Sequence, residues 1–292
     1  MNRRALVVTH LGREEALAAT EEAIRALERV GFELVRDVDG VDLTGVEIAV
    51  VLGGDGTILR AAEVTRGTDI PLLGVNLGHV GFLAESERDD IGEAVRRLAA
   101  RDYEVEERTT LDVSVSLPGV PVPLVDWALN EATVEKADRS RMIEVVIEVD
   151  GRPLSTFACD GVVMATATGS TAHAFSAGGP VVWPDVDAML LVPLSAHALF
   201  ARPLVVGPGS VLALEVLPRS SSVGVLSCDG RRRMDLPVGA RVEVRRSAVP
   251  VRLARLSRAP FADRLVSKFS LPVEGWRGRP AVARAAGPVR EA

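Results

Sequence analysis

The chain has 292 residues, 47% of them hydrophobic and 25% charged, which describes a globular protein of about two domains. Its net charge of −6 has the wrong sign for gripping nucleic-acid phosphates, so no nucleic-acid partner is expected. No apolar run approaches the ~18 residues of a membrane span, so no membrane partner is expected, and Cys159 and Cys228 alone suit a reducing, cytoplasmic setting.

The first hundred residues alternate strand and helix. Arg4–Thr9 reads as a short apolar strand. Glu14–Val30 follows as a helix, with Ala16, Ala19, Ala23, Ala26 and Val30 at helical spacing and Gly31 as its stop. Val46–Leu52 is a β-branched run suited to a strand covered on both faces of a parallel sheet. Thr57–Thr65 is helical in composition, Ile70–Asn76 is a second buried-type strand, and Asp89–Arg101 is an amphipathic helix. The pattern predicts an α/β doubly wound parallel-sheet domain over residues 1–105.

Near residue 105 the period changes from 3.6 to 2. Leu111, Val113, Val115 and Leu117 alternate with polar residues, as do Ile143, Val145, Ile147 and Val149, and Asp150-Gly151 supplies a hairpin turn. Strand texture continues through 211–217, 223–228 and 241–244, and the one candidate helix in this half starts near Ser170. Residues 106–275 are therefore expected to form a mostly antiparallel β domain, and 276–292, rich in Gly, Pro, Arg and Ala, a disordered tail. Cys-Asp-Gly occurs at 159–161 and again at 228–230, which two Asp-Gly turns explain. Arg231-Arg232-Arg233 reads as a solvated turn.

The strongest chemical signal is Gly53-Gly54-Asp55-Gly56-Thr57, at the end of the buried strand 46–52 and opening a helix. An open parallel sheet binds ligands outside the carboxyl ends of its strands. Glycines there let backbone N–H groups approach phosphate oxygens, and the helix N-terminus adds partial positive charge. Asp55 opposes an anion, which makes sense for a metal ligand or for a base that takes a hydroxyl proton. Arg60, one turn on, is positioned by sequence to reach phosphate. No G-x-x-x-x-G-K-[ST] run exists, so a Walker-type site is excluded. Ser170 lacks a G-x-S-x-G frame, which excludes the hydrolase reading. Asn130 and Glu131, read as the end of a strand containing Trp127 and Leu129, are a pair able to exchange hydrogen bonds with sugar hydroxyls. The small residues of 168–180 would let a flat ligand lie against backbone, and Asp160 could hold a ribose or an amide. His10, His79 and His197 have no identifiable chemical partners.

These motifs together resemble the NAD kinase family, within the GGDGT superfamily that also holds diacylglycerol and sphingoid-base kinases. Gly74-Val75-Asn76-Leu77-Gly78-His79-Val80-Gly81-Phe82-Leu83 is similar to the family's GxNxGxxGFL segment, and Asn130-Glu131 to its NE dipeptide. Asp160-Gly161, Thr168–Ala172 and Ser176–Pro180 are similar to its DG…TGSTA…SAGGP block. The resemblance spans roughly residues 4–276. It implies phosphorylation of the 2′-hydroxyl of the adenosine ribose of NAD to give NADP, with ATP as donor. It implies that Gly53, Gly54, Asp55, Gly56 and Thr57 cradle phosphates while Mg²⁺ bridges donor oxygens, its protein ligands undetermined. It further implies that Asp55 is catalytic and that Asn130, Glu131, Asp160 and the segment Thr171, Ala172, His173, Ala174, Phe175 and Ser176 hold the dinucleotide, with roles for Arg60 and Arg141. A homo-oligomer, dimer or tetramer, is implied as well.

Three positions depart from the family pattern. His173 stands where tyrosine is usual, Ala167 where proline is common, and Arg231 where glutamine is frequent. Ala158, two residues before Asp160, is small and uncharged, which in this family accompanies use of inorganic polyphosphate alongside ATP. The alternatives weighed are a GGDGT-type lipid kinase, which the TGSTA block disfavours, and an inactive NAD(P) sensor, which retention of Asp55 disfavours.

Overall fold

A computed structural model describes residues 3–9, 14–38, 40–77, 81–87, 90–257 and 260–273. Its first half runs β1 (Arg3–Thr9), α1 (Glu14–Arg29), β2 (Phe32–Arg36), β3 (Val46–Leu52), α2 (Asp55–Val64), β4 (Leu72–Asn76), β5 (Ser86–Glu87), α3 (Ile91–Ala100) and β6 (Glu104–Arg108). Strands β1 to β4 pair in parallel in the order β2-β1-β3-β4. The apolar run Ile48–Leu52 of β3, unbroken after Glu47, is explained by cover on both faces. One face packs Val50 and Leu52 against Ala19, Ala23 and Leu27 of α1 and Ala94 and Leu98 of α3. The other packs Ala49 and Val51 against Ile58, Ala61 and Ala62 of α2.

The second half contains β7 (Leu111–Ser116), β8 (Leu124–Ala128), β9 (Glu131–Lys136), β10 (Ile143–Val149), β11 (Arg152–Cys159), β12 (Gly161–Thr166) and a 3₁₀ turn at Thr168–Thr171 that leads into α4 (His173–Ser176). It continues with β13 (Met189–Leu194), β14 (Leu204–Val206), β15 (Val211–Val216), β16 (Gly224–Cys228), β17 (Arg232–Leu236), β18 (Arg241–Arg246), β19 (Val251–Arg255) and α5 (Phe261–Phe269). Strands β7 to β18 form two antiparallel sheets, β11-β10-β15-β18-β7-β8 and β14-β13-β12-β9-β16-β17. Their inner faces meet in one core that includes Val113, Ile147, Leu214, Val134, Met164 and Leu226. The alternating pattern of β7 and β10 reflects this, with one face in the core and the other toward water. Cys159 and Cys228 are both free thiols inside it.

The sequence-based division at 105/106 falls inside β6, and the chain does not stay in the second unit until 275. Strand β19 returns to the first sheet, parallel to β4 and antiparallel to β6, and α5 follows it. The first unit is thus closed by chain from both ends. Helix α5 has no counterpart in the sequence reading, where 261–269 counted as part of the β domain. The tail 276–292, His10 and His79 lie outside the described residues.

Of the basic triplet Arg233 is exposed, but Arg231 and Arg232 are engaged. Arg232 donates to Asp126 (2.8 Å) and to the Trp127 carbonyl (2.5 Å), and pairs with Glu63 of α2, as does Arg231 (2.9 Å). Arg66, after α2, reaches Thr110, Ser247 and the Val249 carbonyl. The guanidinium carbons of Arg66 and Arg232 lie 4.2 and 4.9 Å from the Trp127 ring centroid. These cations join the far end of α2, whose near end carries Asp55, to the β unit.

Candidate active site

Gly53 ends β3 with its N–H on the Val75 carbonyl (3.0 Å) and a φ of 155°. A side chain there would lie 2.3 Å from Thr57 Oγ1, so glycine is required by both conformation and space. Gly54 caps α2 without a side-chain bond, and nothing stands within 4 Å of where a Cβ would project from Gly54 or Gly56. The exposed N-terminus of α2 is therefore open to a ligand.

Asp55 is the first residue of α2. Its carboxylate accepts the Phe82 N–H at Oδ2 (3.1 Å) and the Leu83 N–H at Oδ1 (3.2 Å). Gly81 lets that backbone come so close: a Cβ there would lie 2.3 Å from Oδ1. The GFL segment thus aims the aspartate, a relation that only the fold discloses. Arg60 does not point freely toward the cradle, since its Nε sits 2.8 Å from Asp37 at the end of β2.

Asn130 and Glu131 lie just past the end of β8, whose last residue is Ala128, rather than within that strand. They connect β8 to β9, Glu131 opening β9, and both are buried. Leu129 belongs to the same core cluster as Ile58, Leu59 and Leu83, which brings the dipeptide next to α2 and the GFL segment. The backbone of this corner is held by Asp229, whose carboxylate accepts N–H groups from Leu129 (2.9 Å), Asn130 (2.7 Å) and Glu131 (3.3 Å). Asp229 comes from the second Cys-Asp-Gly. It does occupy a turn, at φ 53°, but its side chain organises the pair. The repeat was the signal that could have found it. Thr166 adds to the corner, donating to the Leu129 carbonyl (2.7 Å) and accepting the Gly169 N–H (3.0 Å). Gly169 lies so close that a Cβ would sit 2.0 Å from the Asn130 carbonyl oxygen.

Two buried carboxylates therefore adjoin. Burial first, then the Asp229 charge, pushes the Glu131 carboxyl up to about 8, opposed by an N–H from His173. Burial also raises Asp229, against its three amides and Arg232 at 3.5 Å. Because Asp229 is so well supplied with donors while Glu131 Oε2 is buried without a partner among the described residues, the proton of this pair belongs on Glu131. A neutral Glu131 can both donate to and accept from a sugar hydroxyl. In the unfolded chain its pKa is about 4.3, so the folded state holds a proton that the unfolded state lacks from there up to about 8. Its contribution to stability is complete below the unfolded value and is lost as pH rises through the folded one. The melting temperature should fall between about pH 4 and 8, level off above that, and fall less in Glu131→Gln, whose side chain does not titrate. Parallel curves for the two proteins would show Glu131 ionised throughout.

The segment 171–176 meets this corner through the His173 N–H on Glu131, and Ala174 is packed beneath it with Val163 and Val192. Phe175 stacks on Phe269 of α5 at 4.5 Å, and Phe269 in turn lies 5.8 Å from Phe82. Ser170 is spent on the Val182 backbone (2.9 and 3.2 Å), a structural duty. Asp160 pairs with Lys136 at 2.5 Å, which together with Ser195 holds its carboxyl below the usual range. Arg141 sits on an exposed turn with Asp138 (3.7 Å) and the Ser221 carbonyl (3.2 Å). The structure thus gathers Gly53–Thr57, Asn130, Glu131 and 171–176 at one seam, while Arg60 and Arg141 are engaged elsewhere. Asp229, Phe82 and Leu83 join the site without having been singled out for it.

A glycine-rich loop at the carboxyl edge of a parallel sheet, next to a buried amide–carboxyl pair on a β sandwich, is the arrangement of a nucleotide-handling phosphotransferase. Comparison with known proteins makes this specific. Residues 5–103 match the ATP-NAD kinase N-terminal domain and residues 129–256 the ATP-NAD kinase C-terminal domain. The NAD kinase of Leifsonia xyli is 60% identical over 94% of this chain and 97% of its own length; that of Thermobifida fusca is 57% identical over 96% and 93%. Among solved structures, an Archaeoglobus fulgidus NAD kinase in complex with ATP superimposes with a TM-score of 0.72 at 28% identity, covering 92% of this chain and all of that one. Yeast NADH kinase complexed with NADH gives 0.84 at 22% identity over 94% and 89%, a likeness of fold. The chain belongs to the NAD kinase family.

Proposed function

We infer that this protein transfers the terminal phosphoryl group of ATP to the 2′-hydroxyl of the adenosine ribose of NAD, giving NADP. The observation that carries the reading is the Asp55 carboxylate, aimed by the Phe82 and Leu83 amides beside the open glycines and next to the Asn130–Glu131 corner. Phosphoryl transfer asks chiefly for positioning and charge stabilisation. Within Gly53–Thr57 the N–H groups of Gly53 and Thr57 are spent on the Val75 and Gly54 carbonyls, so Gly54, Asp55 and Gly56 offer theirs, with the helix N-terminus, to donor phosphates. Asn130 and Glu131 hold ribose hydroxyls, 171–176 lie along the dinucleotide with His173 in the stacking position, and Asp160 takes a polar group of NAD. Asp55 accepts the 2′-hydroxyl proton as the oxygen attacks phosphorus.

The residues present suit Mg²⁺. Among the described residues no three His, Cys, Asp or Glu converge on a metal-sized site, yet Asp55 offers one carboxylate beside open phosphate donors, the arrangement Mg²⁺ prefers when substrate phosphates supply most of its ligands. When bound there it neutralises developing phosphate charge. The small Ala158, beside Asp160, supports inorganic polyphosphate as a second donor. Exposed Leu199, Phe200 and Val205 near the edge strand β14 support a homo-oligomer, dimer or tetramer. Two buried free thiols suit the cytoplasm.

The test is one assay with ATP and Mg²⁺ offering NAD, diacylglycerol and sphingosine in parallel, repeated on NAD with polyphosphate and with the metal chelated. NADP should form from both donors and only with metal. Lipid phosphorylation without NADP would overturn the reading, and NADP from ATP but none from polyphosphate would remove the second donor.

A further inference from the structure

A cleft of about 440 Å³ opens between β6, β19, α5 and the 183–185 turn, outside every motif used above. Its lining includes Arg108, Arg255 and Arg264, with Trp183 and Phe261 on the apolar side. The two aromatic rings meet edge to face at 5.3 Å. Arg108 is 5% and Arg255 8% exposed, yet Arg108 Nε and Arg255 Nη2 have no hydrogen-bond partner among the described residues. Buried guanidinium donors are costly to leave unmatched, so an acceptor is missing at this place.

The charge points the same way. Glu106 pairs with Arg108 (2.9 Å) and Arg255 (2.5 Å), and Glu85 with Arg255 (3.0 Å) and Arg264 (2.7 Å). Three guanidiniums thus face two carboxylates at the floor. Glu104 and Asp185 also line the cleft, but both are exposed, where water screens them. Burial, then the like charge of Arg255, lowers Arg108 to about 10, as expected of a cation short of an anion.

We propose that this cleft is a second binding site, for a phosphorylated small molecule of mononucleotide size. Its phosphate pairs with the guanidinium groups of Arg108 and Arg255 that line the cleft, and its ring lies against Trp183 and Phe261. Guanidinium forks match phosphate geometry, and aromatic faces stack on heterocycles of any sequence. Arg264 also donates to the carbonyls of Phe82 (3.2 Å) and Ala84 (3.3 Å), so the cleft borders the segment whose amides hold Asp55.

Titration calorimetry with AMP, on the full chain with the catalytic cleft filled by saturating NADP, tests this. AMP should still bind, adenosine at least tenfold more weakly, and Trp183→Ala and Arg108→Gln should each weaken AMP at least tenfold. Trp183 is exposed, so its variant decides the matter even if Arg108→Gln does not fold. AMP binding abolished by NADP, adenosine binding as tightly as AMP, or an unchanged isotherm in Trp183→Ala would each overturn the proposal.

Discussion

Asp55→Asn should lower turnover by at least about two orders of magnitude while NAD affinity stays close to normal, because a positioned carboxylate base contributes ~10²–10⁴ in rate. The amide keeps the shape that the Phe82 and Leu83 N–H groups grip at 3.1 and 3.2 Å, but it presents an N–H₂ to one of those donors and loses its basicity. Asp55→Glu should not restore the rate. One methylene displaces the carboxylate by about an ångström from an oxygen that must be aligned for attack, and Gly81 leaves no slack. A purely metal-binding Asp55 predicts instead that raised Mg²⁺ rescues Asp55→Asn. A purely structural one predicts a lowered melting temperature with full activity per folded molecule. Turnover, NAD affinity, Mg²⁺ dependence and melting temperature on one variant separate the three, and near-normal turnover in a folded Asp55→Asn protein would end the base assignment.

Asp229→Gly should be strongly destabilising although it adds no atom to the site. Glycine tolerates the φ of 53° at this position, so the turn survives and only the carboxylate is lost. Three buried amides, of Leu129, Asn130 and Glu131, then lose their acceptor, at ~1–3 kcal/mol each. Removal of the repulsion felt by Glu131 offsets part of this. A net loss of about 3 kcal/mol corresponds to roughly 6–12 °C in melting temperature for a chain of this size. The Michaelis constant for NAD should rise about tenfold, since the freed backbone carries Asn130 and Glu131. Asp229→Asn, which keeps one acceptor oxygen, should show roughly half the loss. A melting temperature within a degree or two of wild type in Asp229→Gly would reduce Asp229 to a turn residue.

The difference between these two aspartates marks the limit of sequence reading. Asp55 announces itself because its neighbours are chemically extreme: three glycines after a buried strand and opening a helix mark a candidate phosphate loop. Asp229 has the same Asp-Gly context as Asp160 and any surface turn. What distinguishes it is burial beside strand ends about one hundred residues earlier, and no local pattern encodes that contact. Arg60 shows the opposite case: its place one turn into α2 is legible locally, but its pairing with Asp37 depends on β2, a strand with weak local signal. Arg232 looked solvated because arginine in a run usually is, whereas Glu63, Asp126 and Trp127 recruit it across the seam.

By itself the sequence determined the two kinds of sheet, the glycine-rich loop and the family motifs, and it marked Asp55 as the candidate base, since hydrophobic period and glycine placement act over a few residues and leave a local trace. Tertiary structure alone decided that β19 and α5 return to close the first unit, that the GFL amides aim Asp55, and that Asp229 holds the Asn130–Glu131 corner. Each of those depends on which distant backbone donors and cations come to share a small buried space, and burial there raises the Glu131 carboxyl to about 8.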